Sequence, residues 1–420
     1  MCFNERIIIQ LFLHSLKGVE RTCYEKRRSK KKFNDARRLK TEGVSTSEIA
    51  RRLDMRRATL VTWLKEDEYQ DDRGWNKGAH RKYTKSIREE VIALKKRRIE
   101  SGKYFTGSTY IQMEYAKAYP ERDLPSLWFI EEVTREAGLQ TRKPKPPKGK
   151  GVVARQLFPI KSIVTLGRIH QSCDFIGKKY ITGSSVPINI FSTSYYQWLG
   201  LYNIWRTTSE SSDSVLDRLS HFWLDHPIPQ VMRIDNAMTF RGNPRGAEVS
   251  LSRFLKFLLN TQVTPLFSSP HRSYTNPHIE GHNRTFTEKL WGKHTFTSMK
   301  AIDRECALFN AESEELFRWK YIERLAAKGL RYADPAHVEL GEVLHRTYGK
   351  KICFIRFVDI WKEANNEVGI VVLDRFVDIP IAYLNQYVFA VFELDGARLI
   401  VYSEYEGVRT MIHTIAFPYH

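Results

Sequence analysis

The first third of the chain repeats apolar residues at helical spacing and separates them with short polar turns. The tetrapeptide Ser-Thr-Ser-Glu at residues 45–48 is a capping box, which predicts that a helix begins there. A helix over about 34–41, ending at Gly43, precedes it, and a third helix over about 57–65 follows after a brief turn. Two short helices, a tight turn and a third helix are typical of a helix-turn-helix.

The third of these helices would carry polar side chains on its exposed side, where a helix-turn-helix contacts the grooves of DNA. The candidate DNA-binding residues are Arg56, Arg57, Thr59 and Thr62. The same apolar spacing is also found in small three-helix modules that bind no DNA. The basic character of this region favours DNA binding.

A second helical region follows over about 83–139, with one helix through Arg98 and another that opens at Pro125-Ser126. We interpret it as a second helix-turn-helix unit, of the winged type. Stretches without apolar periodicity flank it. Residues 66–78 are acidic and contain glycine, and residues 141–151 (TRKPKPPKGKG) are rich in Pro, Gly and Lys, so both indicate extended linkers.

From about residue 165, short runs of β-branched and aromatic residues alternate with amphipathic helices, which predicts an α/β architecture with a mixed sheet. The predicted strands are Arg168–Ile176, Val186–Ser192, Tyr196–Trp205, Gln230–Ile234 and Val263–Phe267, and the predicted helices are Ser212–Asp225, Ser250–Leu259 and Pro277–Trp291. After about residue 345, five short strands follow one another, which favours a small β-barrel. These strands are Lys351–Val358, Val368–Val372, Tyr387–Phe392, Arg398–Tyr402 and Arg409–Ile415.

Together the patterns predict a multidomain fold: all-α helix-turn-helix units at the N-terminus, a central α/β core with a mixed sheet, and a small C-terminal β-barrel. The predicted divisions are a basic arm over 1–33, a helix-turn-helix domain with its linker over 34–78, the second winged unit with its basic linker over 79–151, the core over 152–335, and the barrel over 336–420.

Charge adds a partner to this picture. The formal net charge of the 420 residues is +19, and residues 1–150 carry 36 Lys and Arg against 21 Asp and Glu, a net +15. Such a balance is typical of proteins that bind a polyanion, either nucleic acid or an anionic membrane. The most apolar run, Ile7 to Leu13, is far shorter than the ~20 residues of a membrane span, so we expect no membrane partner.

The cysteines indicate reduced thiols of a cytosolic protein. Five cysteines are present, and none forms a Cys-x-x-Cys pair or stands beside a His pair at zinc-finger spacing. We therefore expect no structural zinc.

Three acidic residues occupy positions where an α/β sheet gathers functional groups. Asp174 lies inside the first strand of the core, Asp235 ends a buried strand, and Glu280 lies in the first turns of a helix. A carboxylate in an apolar strand is unfavourable unless a partner satisfies it, and three converging carboxylates need cations. Oxygen-only ligands suit Mg²⁺ or Mn²⁺, and two such ions about 3.5–4 Å apart stabilise both oxygens of a phosphoryl displacement.

The sequences around these residues resemble one family. Residues 170–177 (HQSCDFIG), 231–240 (VMRIDNAMTF) and 276–286 (NPHIEGHNRTF) are together similar to the integrase-type (DDE) catalytic core of bacterial insertion-sequence transposases. The resemblance extends over nearly the whole chain, from the helical units through the core to the C-terminal β-domain. It implies that the core has a ribonuclease H-like fold.

The resemblance also implies that Asp174, Asp235 and Glu280 are the catalytic residues and the metal ligands, with two Mg²⁺ or Mn²⁺ ions per active site. The implied activity cuts DNA at the ends of a mobile element and joins the new 3′-hydroxyl to target DNA. The partners would be double-stranded DNA, from the terminal repeats and the target, and further copies of the chain, at least a dimer. We expect a cytoplasmic, nucleoid-associated protein.

The sequence departs from the family pattern near the triad. Asp235 and Glu280 are 45 positions apart, which is wider than the familiar spacing, and we place the insert within residues 241–249. Three further positions carry residues that are less common in the family: Ala237, Pro277 and Gly281. None of these departures removes a metal ligand.

Three residues beside the triad are further candidate DNA contacts. Asn236 would orient Asp235, contact a DNA phosphate or simply form a turn. Arg284 lies one helical turn after Glu280, where it would pair with that carboxylate or contact DNA. Arg272, in the loop before the helix, would approach DNA or remain solvated.

Two alternatives to a transposase stay open at this point. One is a DNA-binding regulator derived from a transposase, in which the core has become a scaffold. The other is a ribonuclease H-like nuclease without strand transfer. The intact triad argues against the first, and the helix-turn-helix pattern favours sequence-specific DNA over the RNA–DNA hybrid that the second would cut.

Overall fold

The computed structural model describes residues 31–65, 83–140, 158–196, 201–242, 251–270, 272, 275–325, 330–333, 349–361 and 366–419. Most of the predicted basic arm, both predicted linkers and the expected insert beyond residue 242 lie outside these residues, as do the predicted boundaries at 78, 151 and 335. The chain divides into two compact units, residues 1–84 and 85–420.

Within residues 31–65, the smaller unit contains three helices where the apolar pattern predicts them. They are α1 (31–41), α2 (Thr46–Arg52) and α3 (Arg57–Leu64). The Ser45 hydroxyl accepts a hydrogen bond from the Glu48 backbone N–H at 3.3 Å, so the capping box does begin α2. Ala36, Ile49 and Leu60 are buried together and form the core of this unit.

The larger unit opens with three helices: α4 (Lys85–Glu100), α5 (Ser108–Ala118) and α6 (Leu127–Glu136). They share a core of their own, and the Ser126 hydroxyl caps α6 as predicted. Residues 83–140 contain no strand, so the wing expected for this region is not found in the described part.

A buried ion pair fixes these helices to the rest of the larger unit. Arg98 of α4 pairs with Glu312 at 3.1 Å, and both side chains are buried. Glu312 lies on the long helix α12 (Met299–Leu325) and also accepts a hydrogen bond from the backbone N–H of Tyr104. The helical region is thus part of the same packed body as the sheet.

A nine-stranded mixed sheet forms the centre of the larger unit, in the order β12-β11-β10-β6-β5-β4-β1-β2-β3. In chain order, the first five strands of this sheet are β1 (His170–Tyr180), β2 (Pro187–Tyr195), β3 (Asn203–Thr207), β4 (Val231–Ile234) and β5 (Thr264–Phe267). β1, β2 and β3 are antiparallel neighbours, whereas β4 is parallel to both β1 and β5. The α/β core with a mixed sheet is therefore present as predicted.

Helices cover both faces of these strands. They are α7 (Ile160–Val164), α8 (Ser212–Asp225), α9 (Met238–Arg241), α10 (Arg253–Asn260), α11 (Pro277–Lys289) and α12. The apolar sides of α8 and α10 pack on one face, around Trp223 and Phe254. On the other face, Phe286 of α11 and Phe309 of α12 join a second core. Asn310 of α12 bonds both the N–H and the carbonyl of Ile204, which covers the edge strand β3.

The C-terminal strands correct the prediction of a separate small β-barrel. β6 (Lys351–Phe357) pairs in parallel with β5, so the sheet of the core simply continues. The remaining strands of the extension are β10 (Tyr387–Glu393), β11 (Arg398–Tyr405) and β12 (Val408–Ala416). A small second sheet is formed by β7 (Asp359–Trp361), β8 (Glu367–Val372) and β9 (Arg375–Asp378). Short strands with polar breaks do not distinguish a barrel from the extension of a larger sheet, which is why the pattern misled us.

Among the described residues, no helix has the length and apolar character needed to cross a membrane.

Candidate active site

The pairing of β1 with β4 places Asp174 and Asp235 side by side. The two strands run parallel, with Ser172 opposite Arg233. Asp174 and Asp235 each come two residues further along, so they point from the same face at neighbouring positions. Both carboxylates are half-buried. The backbone N–H of Ala237 donates to Oδ1 of Asp235 at 3.0 Å and fixes that side chain in the turn that follows β4.

Helix α11 brings the third acid to the same place. Asn276 precedes the helix, and its Oδ1 accepts hydrogen bonds from the hydroxyls of Tyr196 at 2.8 Å and Ser172 at 3.2 Å. These bonds tie the start of α11 to β1 and to the residue after β2. Ile279 is buried beneath the helix, while Glu280 is exposed at its first turn.

One cleft of about 710 Å³ is lined by all three acids, Asp174, Asp235 and Glu280, and we call it the carboxylate cleft. The three residues are far apart in sequence and come from two strands and a helix. The same cleft is also lined by Arg241 and Arg356.

The charges of Asp235 and Glu280 act on Asp174. Burial, followed by the negative charges of Asp235 and Glu280, raises the pKa of Asp174 to about 7, against the lowering effect of hydrogen bonds from Phe175 N–H and Asn283. Burial also raises the pKa of Asp235, with a smaller contribution from Glu210. The site therefore opposes the charged form of its own carboxylates, as expected where cations are to be bound.

Asn283 and Ser192 are site residues that the sequence did not reveal. Asn283 Nδ2 donates to Oδ2 of Asp174 at 3.0 Å, and the Ser192 hydroxyl donates to Oδ1 of Asn283 at 2.7 Å. These hydrogen bonds thus connect Ser192 on β2, Asn283 on α11 and the carboxylate of Asp174 on β1. The signal in the sequence was the spacing, since Asn283 lies one helical turn after Glu280.

The donor set of the carboxylate cleft has the right chemistry for hard divalent cations, because it offers carboxylate oxygens and neither thiolate nor imidazole. In the present side-chain positions, no three His, Cys, Asp or Glu of the described residues stand close enough to hold one ion. Asp174 and Asp235 are fixed by the strands and hydrogen bonds. The exposed side chain of Glu280 has the freedom to rotate toward them.

Asn236 lies at the edge of the same cleft, and its amide is used within the protein. Its Nδ2 donates to the carbonyl of Ser268 at 2.7 Å, and its Oδ1 accepts from Arg356 at 2.8 Å. These bonds hold the end of β4 against the ends of β5 and β6. A DNA contact of Asn236 stays a prediction.

The other candidate DNA contacts have different surroundings. Arg272 lines the cleft, with its guanidinium 3.5 Å from the ring centre of Phe357 and 3.7 Å from a carboxylate oxygen of Asp359. Arg284 is exposed on α11, beyond the lining of the cleft. In the smaller unit the four residues chosen on and before α3 are exposed: Arg56, Arg57, Thr59 and Thr62.

No protein-family model matches the sequence, and no curated protein matches it either. Two solved structures share a distant likeness of fold. A simian T-cell lymphotropic virus intasome, in complex with PP2A regulatory subunit B56 gamma, aligns with 76 % of this chain and 95 % of that chain, at 11 % identity and a TM-score of 0.27. A pre-cleavage Mos1 transpososome aligns with 72 % of this chain and 98 % of that chain, at 14 % identity and a TM-score of 0.22. Because both TM-scores lie below 0.5, neither likeness establishes the activity of this chain.

Proposed function

We propose that the chain is a DNA transposase that uses Asp174, Asp235 and Glu280 to cut DNA and to join the cut end to a target. The observation that carries the proposal is that these three acids, distant in sequence, line one cleft. The electrostatics of Asp174 support it, because the charges of Asp235 and Glu280 both raise its pKa. Clustered carboxylates of this kind are stabilised by shared cations.

The cofactor that fits this donor set is a pair of Mg²⁺ or Mn²⁺ ions, held by the three acids. When bound, such ions supply a counter-charge for the attacking and leaving oxygens of a phosphodiester displacement. Asp174 and Asp235 hold their oxygens in place from neighbouring strands. Glu280 completes the set from α11, and Asn283 keeps the carboxylate of Asp174 oriented through its hydrogen bond.

The proposed reaction has two displacements at phosphorus. In the first, the oxygen of a water molecule bonds to phosphorus and the 3′-oxygen leaves as a 3′-hydroxyl. In the second, that hydroxyl attacks a phosphodiester of the target, and the target's own 3′-oxygen leaves. No covalent bond to the protein forms. Double-stranded DNA is the substrate, and at least two copies of the chain are needed to hold two element ends.

The smaller unit would recognise the element ends. Its exposed residues Arg56, Arg57, Thr59 and Thr62 lie on and before α3, where a helix-turn-helix contacts the major groove. The +15 charge of residues 1–150 supports a role in binding the DNA backbone.

A second candidate function is a DNA-binding regulator whose core has become a scaffold. The observation that favours it is that Glu280 is exposed, whereas Asp174 and Asp235 are half-buried. Such a regulator would bind the same DNA ends and leave them uncut.

A strand-transfer assay tests the proposal, with DNA that carries the repeats flanking the gene of this protein. We expect Asp174→Asn, Asp235→Asn and Glu280→Gln each to abolish cleavage and joining while DNA binding survives, because each change keeps the shape and removes a charge. Glu288→Gln, on an exposed position of the same helix, is the matched control and should behave as the unchanged protein.

The outcomes separate the candidates. Normal joining by the Glu280→Gln protein would remove Glu280 from the site. Binding without any cleavage by the unchanged protein would favour the regulator. Cleavage without joining would favour a nuclease.

A further inference from the structure

Strand β6 brings a buried cation to the wall of the carboxylate cleft. Arg356 is 2 % exposed. Its Nε donates to the carbonyl of Val371 at 2.7 Å, and its Nη1 donates to the carbonyls of Ser268 and Ile355 at 2.8 and 2.9 Å. Its Nη2 donates to Oδ1 of Asn236 at 2.8 Å. All four acceptors are neutral.

Another buried arginine in the chain shows the usual arrangement. The side chain of Arg98 is 2 % exposed and pairs with two carboxylates, those of Glu114 and Glu312. Arg356 is as deeply buried, yet no carboxylate of the described residues forms an ion pair with it. A buried charge without a counter-charge is unfavourable. Because the guanidinium lines an open cleft, a bound anion can supply the missing charge.

A second cation also lines the cleft. This is Arg241, the last residue of α9. Its Nη1 pairs with Asp374, but its Nε is buried and has no hydrogen-bond partner. Burial and the nearby charge of Arg241 lower the pKa of Arg356 to about 9. The charge of Arg241 therefore disfavours the charge of Arg356, and a bound anion would offset this repulsion.

Counting donors defines the anion. A guanidinium has five N–H groups, and Arg356 uses four of them within the protein, which leaves one on Nη2. Arg241 offers its free Nε–H. Together they leave two N–H donors unused within the described part of the protein. A phosphodiester carries one negative charge and two non-bridging oxygens, which matches two such donors.

We propose that Arg241 and Arg356, in the wall of the carboxylate cleft, bind one backbone phosphate of the DNA strand next to the phosphate that is cut. This inference rests on the DNA substrate of the proposed function. It makes the C-terminal strands part of the substrate site, because Arg356 lies on β6 and the partner of Arg241, Asp374, lies between β8 and β9.

The salt dependence of DNA binding tests the inference in the full-length protein. The probe is a duplex oligonucleotide of fixed sequence, titrated at several salt concentrations in Ca²⁺. Each phosphate contact contributes about 0.9 to the slope of log K against log salt concentration. We expect Arg241→Gln to make the slope shallower by about 0.9. The control is Arg206→Gln, which removes an arginine of similar exposure (26 % against 24 %), also paired with an aspartate, and should leave the slope unchanged.

The double variant Arg241→Gln with Arg356→Gln tests whether both residues hold the same phosphate. If they do, the double variant loses about 0.9 of the slope in total, because only one phosphate contact can be lost. A loss twice as large would contradict a shared phosphate. Should Arg356→Gln fail to fold, as circular dichroism would show, the Arg241→Gln measurement still decides.

Free phosphate is the other source of the same chemistry. In a thermal-unfolding experiment, inorganic phosphate is added to the unchanged protein and to Arg241→Gln at constant ionic strength. Selective stabilisation of the unchanged protein by inorganic phosphate, with identical DNA salt slopes, would mean that the site takes a free anion and would overturn the inference. Identical slopes without that stabilisation would also overturn it. Either result leaves the strand-transfer test unaffected, so the two proposals fail separately.

Discussion

Asp174 should destabilise the folded protein at neutral and alkaline pH when no metal is bound. Its pKa is about 7 in the fold, against the value of 3.8 for an ordinary aspartate, because burial and two neighbouring carboxylates oppose its charge. The folded state then binds more protons than the unfolded state between these two values. Stability therefore falls as pH rises from about 4 to about 7, and the loss is complete above that range.

The size of the effect follows from the shift. About three pKa units at 1.36 kcal/mol each correspond to about 4 kcal/mol at pH 8, and to roughly 1.5 kcal/mol at pH 5, where only part of the range has been crossed. Asp174→Asn keeps the shape and an acceptor for Asn283 but carries no charge. We expect this variant to have a higher free energy of unfolding than the unchanged protein at both pH values. This difference should be about 2 to 3 kcal/mol larger at pH 8 than at pH 5.

The assay is urea unfolding in EDTA at both pH values, followed by tryptophan fluorescence of the larger unit. Asp123→Asn is the control, because Asp123 is an exposed aspartate in the loop before α6. Equal stabilities of the Asp174→Asn and unchanged proteins at pH 8 would refute the reasoning. They would mean that the charged form of Asp174 does not destabilise the fold. Adding Mn²⁺ should restore the stability of the unchanged protein and leave the variant unaffected.

Three further predictions concern other parts of the fold. Asn283→Ala should lower the cleavage rate by about 10- to 100-fold and move the acid limb of the pH–rate profile to higher pH. The reason is that Asp174 loses a hydrogen bond that favours its charged form. An unchanged pH profile would contradict this. The double change Arg57→Ala with Thr62→Ala should relax sequence preference in binding-site selection, and unchanged selectivity would move recognition away from α3. Glu312→Gln should lower the free energy of unfolding by about 3 kcal/mol in denaturant titration, because it weakens a buried ion pair. A loss below ~1 kcal/mol would show that the pair is dispensable.

Local patterns in the sequence predicted most of the elements around the site. The helix Ser212–Asp225 matches α8 at both ends, because Ser211 caps it and the apolar side is regular. The strand ending at Asp235 was recognisable from its buried, β-branched character. The long helix α12 was not assigned, although it covers a sheet edge.

The pairing of the strands was harder to predict from the sequence. Strand β6 reads KICFIRF, with six of seven residues buried, as expected for a strand inside a sheet, between the parallel β5 and the antiparallel β10. That signal argued against a peripheral barrel. The one charge in its interior, Arg356, was a second signal, because a buried arginine is costly unless the fold gives it partners.

Spacing places Asn283 one helical turn after Glu280, but the sequence alone does not show which group Asn283 bonds. Asn283 meets Asp174 only because α11 packs across β1 and β2, and this packing depends on residues such as Asn276 and Tyr196 that are distant in sequence. Periodicity identifies which face of a helix is buried, but it does not say which strand that face meets.

The most direct test of the central claim is a change of metal at Asp235. The variant Asp235→Cys replaces a carboxylate by a thiolate, which is a poor ligand for Mg²⁺ and a better one for the softer Mn²⁺. We predict that this variant does not cleave DNA ends in Mg²⁺ and regains cleavage in Mn²⁺, whereas Asp235→Ser remains inactive in both. Cleavage by Asp235→Cys at the same rate in Mg²⁺ as the unchanged protein, or no better cleavage in Mn²⁺ than that of Asp235→Ser, would contradict a metal-binding role for Asp235.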